Sequence, residues 1–187
     1  MIQTLVSVED YFDELSNSTI KLEYFNGEIL AMAGAQMPHN ILVSNLFSSF
    51  IECLKKQGCY ILVADQLVNI QAVETYLFPD IVIVCEKPIT QKSPNGLDAL
   101  LNPSIIIEVL SDSTELFDRT EKFEAYQKIE SLKEYVLVSS KKQKIEVYKK
   151  HTPETWTHQM AKEGTIRIGE CELDVAAVYD RVDFEAV

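Results

Sequence analysis

The chain has 187 residues, 47% hydrophobic and 25% charged, which suits one compact domain (residues 1–187) with a sizeable core. Its formal net charge of −12 argues against broad attraction to nucleic acid or to an anionic membrane. The charge is segregated: residues 119–150 hold 9 Lys and Arg against 5 Glu, and the stretch from Glu163 holds 7 acids against 2 Arg, so a polyanion could still find one favourable face.

The opening MIQTLVSVEDYFDEL lacks the basic and then apolar pattern of a secretory signal, and no run approaches the ~20 apolar residues of a membrane span. From Ser7 to Asn17 the spacing predicts a short helix, with Ser7 as its cap and acids in its first turn. KLEYFNGEILAM (21–32) predicts a hairpin around Asn26-Gly27. From Pro38 to about Lys56, Ile41, Leu42, Leu46, Phe50 and Leu54 follow helical spacing, and Gly58 predicts the stop. Three strands are expected next, in YILVADQLVNI (60–70), YLFPDIVIVC (76–85) and SIIIEVLS (104–111), with a polar loop between the last two. A helix is expected over about Asp118–Ile129, Asp118 and Glu121 resembling a capping box. EYVLVSS (134–140) and KIEVYKKH (144–151) predict a second hairpin, and the tail suggests further short strands. The order αββαβββαββ points to an α/β fold with a mixed sheet. Cys53, Cys59, Cys85 and Cys171 show no ligand spacing, so Cys53 and Cys85 are expected as buried free thiols of a cytoplasmic protein.

Two acids break the apolar pattern. Glu108 sits in the middle of IIIEVL and Asp80 opens DIVIVC, both in strands that look buried on two faces. A lone carboxylate taken out of water costs several kcal/mol, about the scale that demands a partner. If the two strands are neighbours, both acids emerge at one edge and repel unless a cation sits between them. A hard divalent ion, Mg²⁺ above all, answers that need with one or two carboxylates plus waters and phosphate oxygens. The plainer alternative is a structural acid paired with a distant Lys or Arg, or capping a turn. Asp118, Lys122 and Tyr126 share one helix face. The dipole disfavours Lys122 near a helix start, so it is either a surface accident or held by carboxylates such as Glu108.

Phe78-Pro79-Asp80, then Ile107-Glu108-Val109-Leu110-Ser111, then Asp118, Lys122, Tyr126 and Glu134-Tyr135 resemble, in that order, the Uma-two family of restriction-endonuclease-like proteins within the PD-(D/E)xK nuclease superfamily. The hairpin Leu22–Ile29 and His39 match the family's N-terminal pattern, and the resemblance runs from about Val8 to Val147. It implies a restriction-endonuclease-like α/β (α+β) core, a mixed central sheet flanked by helices with extra hairpins and the site on one sheet edge. Asp80 and Glu108 would be metal ligands for Mg²⁺ or Mn²⁺, with the Val109 carbonyl as a third oxygen. The superfamily lysine two places after Glu108 is replaced by Leu110, and Lys122 would supply the amine from the next helix. It would orient or help deprotonate the attacking water and offset charge on the phosphate. Glu23 is an accessory candidate that could equally be an exposed strand residue; His39 is an accessory candidate that could equally be a cap or surface residue.

Lys141, Lys142, Lys144, Lys149 and Lys150 form the one concentrated basic patch, either a solvated hairpin or a surface that tracks phosphates. Trp156 and the remaining tyrosines read most simply as packing. The implied activity is Mg²⁺-dependent DNA endonuclease, by analogy a homodimer. The alternatives are a nuclease fold that has lost hydrolysis and serves as a binding or assembly module, and a hydrolase of small phosphoesters.

Overall fold

The computed structural model describes residues 5–32, 34–63 and 65–184. Helix α1 (Val8–Asn17) begins where Ser7 Oγ accepts the Asp10 N–H at 3.1 Å, and it buries Tyr11 and Phe12. Strands β1 (Leu22–Phe25) and β2 (Glu28–Ala31) turn through Asn26 and Gly27 at φ 51° and 85°, the positive pair that a tight hairpin requires. Helix α2 (Met37–Gln57) buries Leu42, Leu46, Phe50 and Leu54 along one stripe. It stops at Gly58 in the left-handed region, whose N–H caps the Leu54 and Lys55 carbonyls.

Two of the expected strands are each cut in two. YILVADQLVNI becomes β3 (Tyr60–Val63) and β4 (Val68–Ile70); YLFPDIVIVC becomes β5 (Thr75–Leu77) and β6 (Ile81–Val84). The expected polar loop contains a small hairpin, β7 (Thr90–Lys92) and β8 (Asp98–Leu100), ahead of β9 (Ile105–Leu110). The expected helix at Asp118 starts earlier and is broken. It runs as α3 (Glu115–Arg119) and α4 (Glu121–Tyr126), with Thr120 at φ −117°, ψ −89° between them. Asp118 caps nothing, because its carboxylate is buried against Lys122. Strands β10 (Glu134–Ser139), β11 (Ile145–Thr152), β12 (Thr155–Ala161), β13 (Thr165–Ile168) and β14 (Cys171–Asp174) follow, then the short α5 (Val175–Val178).

One sheet has the order β2-β1-β5-β4-β8-β7 and the other β12-β11-β10-β9-β6-β3, with β13 and β14 as a separate ribbon. Both sheets are mixed, β4 running parallel to β8 and β9 parallel to β10. The halves of each cut strand thus belong to different sheets, and the chain steps from the first sheet to the second through Phe78-Pro79-Asp80. Proline has no N–H for a ladder, so its place between two sheets is physically apt.

Alternation along β9 divides its side chains. Ile105, Ile107 and Val109 pack under α2; Ile106 and Leu110 face the opposite layer, with Ala125 and Tyr126 of α4 and Val68, Ile70 and Leu77 of the first sheet. A third cluster joins α1 to the first sheet through Tyr11, Phe12, Tyr24, Tyr76 and Phe78.

The cysteines overturn one expectation. Cys53 is joined to Cys171 and Cys59 to Cys85, so neither Cys53 nor Cys85 is a free thiol. The register explains the second pair: Tyr60 lies opposite Val84, which brings the residues just before and just after them together. The thiol argument for a reducing compartment falls with that correction. Among the described residues, no helix is long and apolar enough to cross a membrane.

Candidate active site

The two anomalous acids meet. Ile81 pairs with Ile107 in the antiparallel β6–β9 ladder, so Asp80 falls beside Glu108, on the face shared with Ile106 and Leu110. The Asp80 N–H donates to Glu108 Oε2 at 3.3 Å, and Asp80 Oδ2 accepts the Val109 N–H at 2.7 Å. Glu108 is therefore fixed partly by the backbone of Asp80, and Asp80 by the backbone of the residue after Glu108. Glu108 is 3% exposed, whereas the Asp80 side chain is 18% exposed at the cavity wall.

Lys122 is the cation that sequence spacing pointed to. From the first turn of α4 its Nζ lies 3.4 Å from Glu108 Oε1, 3.3 Å from Glu23 Oε1 and 3.3 Å from Asp118 Oδ1. The side chains of all four are about 95% buried. Burial alone would lower the lysine pKa, but Glu108, Glu23, Asp118 and Asp80 outweigh it and hold the ammonium above its ordinary value. Burial likewise pushes the Glu108 carboxyl well above the usual carboxylate range; Lys122 opposes that shift, while Asp118, Asp80 and Glu23 add to it. Glu23 and Asp118 are raised for the same leading reason.

Glu23 is thus a buried strand residue, not an exposed one. Its Oε1 also accepts the Phe78 N–H at 2.9 Å, so it ties β1 to the step between the sheets. His39, the third residue of α2, places Nε2 3.1 Å from Asp80 Oδ2, while its Nδ1 is buried without a hydrogen-bond partner among the described residues. Burial would lower the His39 pKa, but the hydrogen bond and charge of Asp80 raise it overall.

Two further residues belong to the constellation. Asp118 lies beside Lys122, and Tyr126 donates its O–H to Glu108 Oε1 at 3.1 Å. Their four-residue spacing with Lys122 was the available signal, but spacing alone does not say which helix face turns inward. Asp118 Oδ1 is buried with no hydrogen bond among the described residues, held only by the ion pair. Glu23, His39, Asp80, Glu108, Asp118 and Lys122 all border one cavity of about 1060 Å³, between the β1–β2 hairpin, the start of α2 and α3.

The lysine patch is largely paired. Lys141 pairs with Asp112, Lys144 with Glu146 at 2.8 Å and Lys149 with Glu134 at 3.4 Å. Lys150 donates to the Ile129 carbonyl at 3.0 Å, and Lys142 is exposed.

A family model described as "Putative restriction endonuclease", Uma2, matches residues 8–173. The chain belongs to the Uma2 family. This is the family that the ordered motifs resemble. Two proteins of Synechocystis, both described as uncharacterized (sll1609 and slr1290), are 33% identical to this Uma2 chain over 152 and 151 residues. The matches cover 81% of this chain in each case, and 85% and 77% of the relatives. A crystal structure from Anabaena variabilis, described as a putative nuclease belonging to DUF820, superposes with a TM-score of 0.72. It is 18% identical and covers 91% of the Uma2 chain and 96% of its own, so the two share a fold.

Proposed function

We propose that this Uma2 chain is a Mg²⁺- or Mn²⁺-dependent DNA endonuclease that hydrolyses phosphodiester bonds, with Asp80, Glu108 and Lys122 as its working residues. One observation carries the reading. Asp80 and Glu108, from adjoining strands at the step between two sheets, face one cavity with a buried ammonium 3.4 Å from Glu108. Membership of a family described as restriction endonucleases agrees with it.

The donor set fits a hard divalent ion. Three carboxylates, of Glu23, Glu108 and Asp118, surround one ammonium, Asp80 adjoins Glu108, and His39 and the Val109 N–H both bond the Asp80 carboxylate at Oδ2. Among the described residues no three His, Cys, Asp or Glu side chains form a ready cage. Mg²⁺, which takes one or two carboxylates and fills its other positions with water and phosphate oxygens, suits that geometry better than a metal that demands an all-protein cage. Asp80, Glu108 and the Val109 carbonyl would hold the ion, which when bound supplies Lewis acidity and charge neutralisation at the phosphate.

The chain's own residues do the rest. Lys122 stays protonated under its raised pKa, so it serves as a fixed positive charge for oxygens that gain charge in the transition state, not as a base. Glu23 and Asp118 hold that ammonium in place, and Tyr126 fixes one oxygen of Glu108. His39 and the Val109 N–H orient Asp80. A cytoplasmic homodimer, which would bring two such sites to the two strands of a duplex, completes the proposal; sedimentation reads its mass, and a monomer at every concentration sinks that part.

The test is nicking of supercoiled plasmid with Mg²⁺ or Mn²⁺, comparing wild type with Asp80→Asn, which keeps an acceptor for the Val109 N–H and removes the charge. Wild-type cleavage lost in the variant is the expected result. Cleavage that survives in the variant removes Asp80 from the mechanism. One observation favours a second reading, a fold that binds without cutting: Lys122 already neutralises part of the acid cluster. Calorimetry showing no binding of Mg²⁺ or Mn²⁺ at millimolar levels supports that alternative.

A further inference from the structure

Strand β3 forms one border of the second sheet, and among the described residues no strand pairs with its outer side. The direction of its backbone groups follows from β6. The Ile83 carbonyl accepts the Ser104 N–H at 2.8 Å, and the Cys85 N–H donates to Ser104 Oγ at 3.0 Å, so residues 83 and 85 turn their backbone toward β9. Alternation then turns Val82 and Val84 toward their β3 partners, Leu62 and Tyr60. Ile61 and Val63, opposite Ile83 and Ile81, therefore aim their N–H and C=O groups past the border. The Val63 carbonyl accordingly bonds the Asp65 N–H at 2.8 Å, off the ladder.

An edge of this kind is a template for another strand unless something blunts it. The other three borders of the two large sheets are blunted by composition: β2 carries Glu28, β7 carries Thr90, Gln91 and Lys92, and β12 carries Thr157, His158 and Gln159. Strand β3 reads Tyr60-Ile61-Leu62-Val63, with no charge, proline or bulge, and leaves Tyr60 53% and Val63 40% exposed. Charge singles it out as well. A chain of net −12 repels its own copy over much of its surface, yet residues 57–64 carry no charge. Exposed Lys55 and Lys56, which make no ion pair among the described residues, precede the strand. Asp65, 81% exposed beside Lys21, follows it. Antiparallel pairing sets the lysine end of one copy against the aspartate end of the other.

We propose that β3 is a dimer interface, pairing antiparallel with β3 of a second copy about a twofold axis at Leu62. Ile61 of one copy exchanges N–H···O=C bonds with Val63 of the other, Leu62 faces Leu62, and the two second sheets become one. The Cys59–Cys85 bridge already ties the start of β3 to the end of β6, so the edge is held ready for its partner. The axis stands perpendicular to the sheet, so both acid sites open on the same side. Asp80 lies two residues from Val82, the Leu62 partner, and one strand in from the seam, which places the two Asp80 residues about 20 Å apart. The interface rests on the proposed homodimer and not on hydrolysis.

Four residues a side fall short of the roughly 800 Å² per partner of a standard interface, so the dimer is expected to be weak. Sedimentation of the full chain in EDTA, over about 2 to 200 μM, should show monomer passing to dimer as concentration rises. Tyr60→Lys puts a charge on an exposed position, and Val63→Pro removes an N–H that faces away from the sheet's own ladder. Each is expected to weaken dimerisation about tenfold or more, with the melting temperature of the dilute protein unchanged. Leu62→Cys, oxidised, is expected to link copy to copy, because facing residues of a non-bonded pair lie within disulfide reach. A wild type that stays monomeric throughout, variants that dimerise as the wild type does, or a Leu62→Cys protein that gives no linked dimer would each overturn the proposal. A dimer that the substitutions leave untouched keeps the homodimer and loses this interface, and plasmid nicking judges hydrolysis separately.

Discussion

Replacing Lys122 by Met keeps the length and bulk of the side chain and removes its charge. Three carboxylates lie 3.3–3.4 Å from that ammonium, all nearly buried. Removing one partner of a buried ion pair costs about 3–5 kcal/mol, because the survivors remain desolvated and unpaired. For a chain of 187 residues this corresponds to a drop in melting temperature of roughly 6–20 °C. The loss depends on pH with a definite sign. Burial already raises the carboxyl groups of Glu108, Glu23 and Asp118 in the folded protein, and without Lys122 they rise further. A raised group gives a contribution fully present below its unfolded pKa and lost as pH rises through its folded pKa. The deficit of Lys122→Met against wild type is therefore large at neutral and alkaline pH and shrinks as the acids protonate. Thermal melts in EDTA across about pH 4.5 to 8 measure it, and adding Glu108→Gln to the variant should recover part of the loss. A variant that melts with the wild type at neutral pH, or a deficit that stays flat on acidification, refutes the reasoning.

Glu146 gives the opposite sign. Burial would raise its pKa, but hydrogen bonds from Arg119 and Lys144 prevail and lower it, so its contribution is present above the ordinary carboxyl range and lost as pH falls through the folded value. Arg119→Gln should thus destabilise by about 1–3 kcal/mol at neutral pH and by little in acid, read by urea titration; an equal loss at both would remove Glu146 from the account. Thiol titration of unreduced, denatured protein should find no reactive cysteine, and after reduction four. Four reactive thiols before reduction would dismiss both bridges. Cys53→Ser should cost more stability than Cys59→Ser, because it opens a loop of 118 residues rather than 26, about 5 against about 3.5 kcal/mol by loop entropy.

Local signals were legible because their causes are local. Ser7 caps α1 through the backbone three residues on, Asn26-Gly27 supplies its own positive φ angles, and Gly58 ends α2 by a bond to the preceding turn. The anomaly of Glu108 was legible too, since a charge among isoleucines stands out wherever it lies. The broken helix was not. Asp118 and Glu121 carry a capping pattern, but the pull of Lys122 on a buried carboxylate outweighs the cap. Glu23 gave no sign of burial, as one glutamate on a hairpin looks like any other until a second sheet covers it.

The sequence by itself determined two of the hairpins, the helix stop at Gly58, the two misplaced acids and the family. Tertiary structure alone decided that Pro79 marks a step between sheets, that Asp80 and Glu108 are neighbours, and that four cysteines are two bridges. The reason is range. Caps, turns and periodicity act over a few residues, whereas a register such as Ile81 with Ile107, or a lysine shared by Glu23, Glu108 and Asp118, arises only when distant segments are packed together and desolvated.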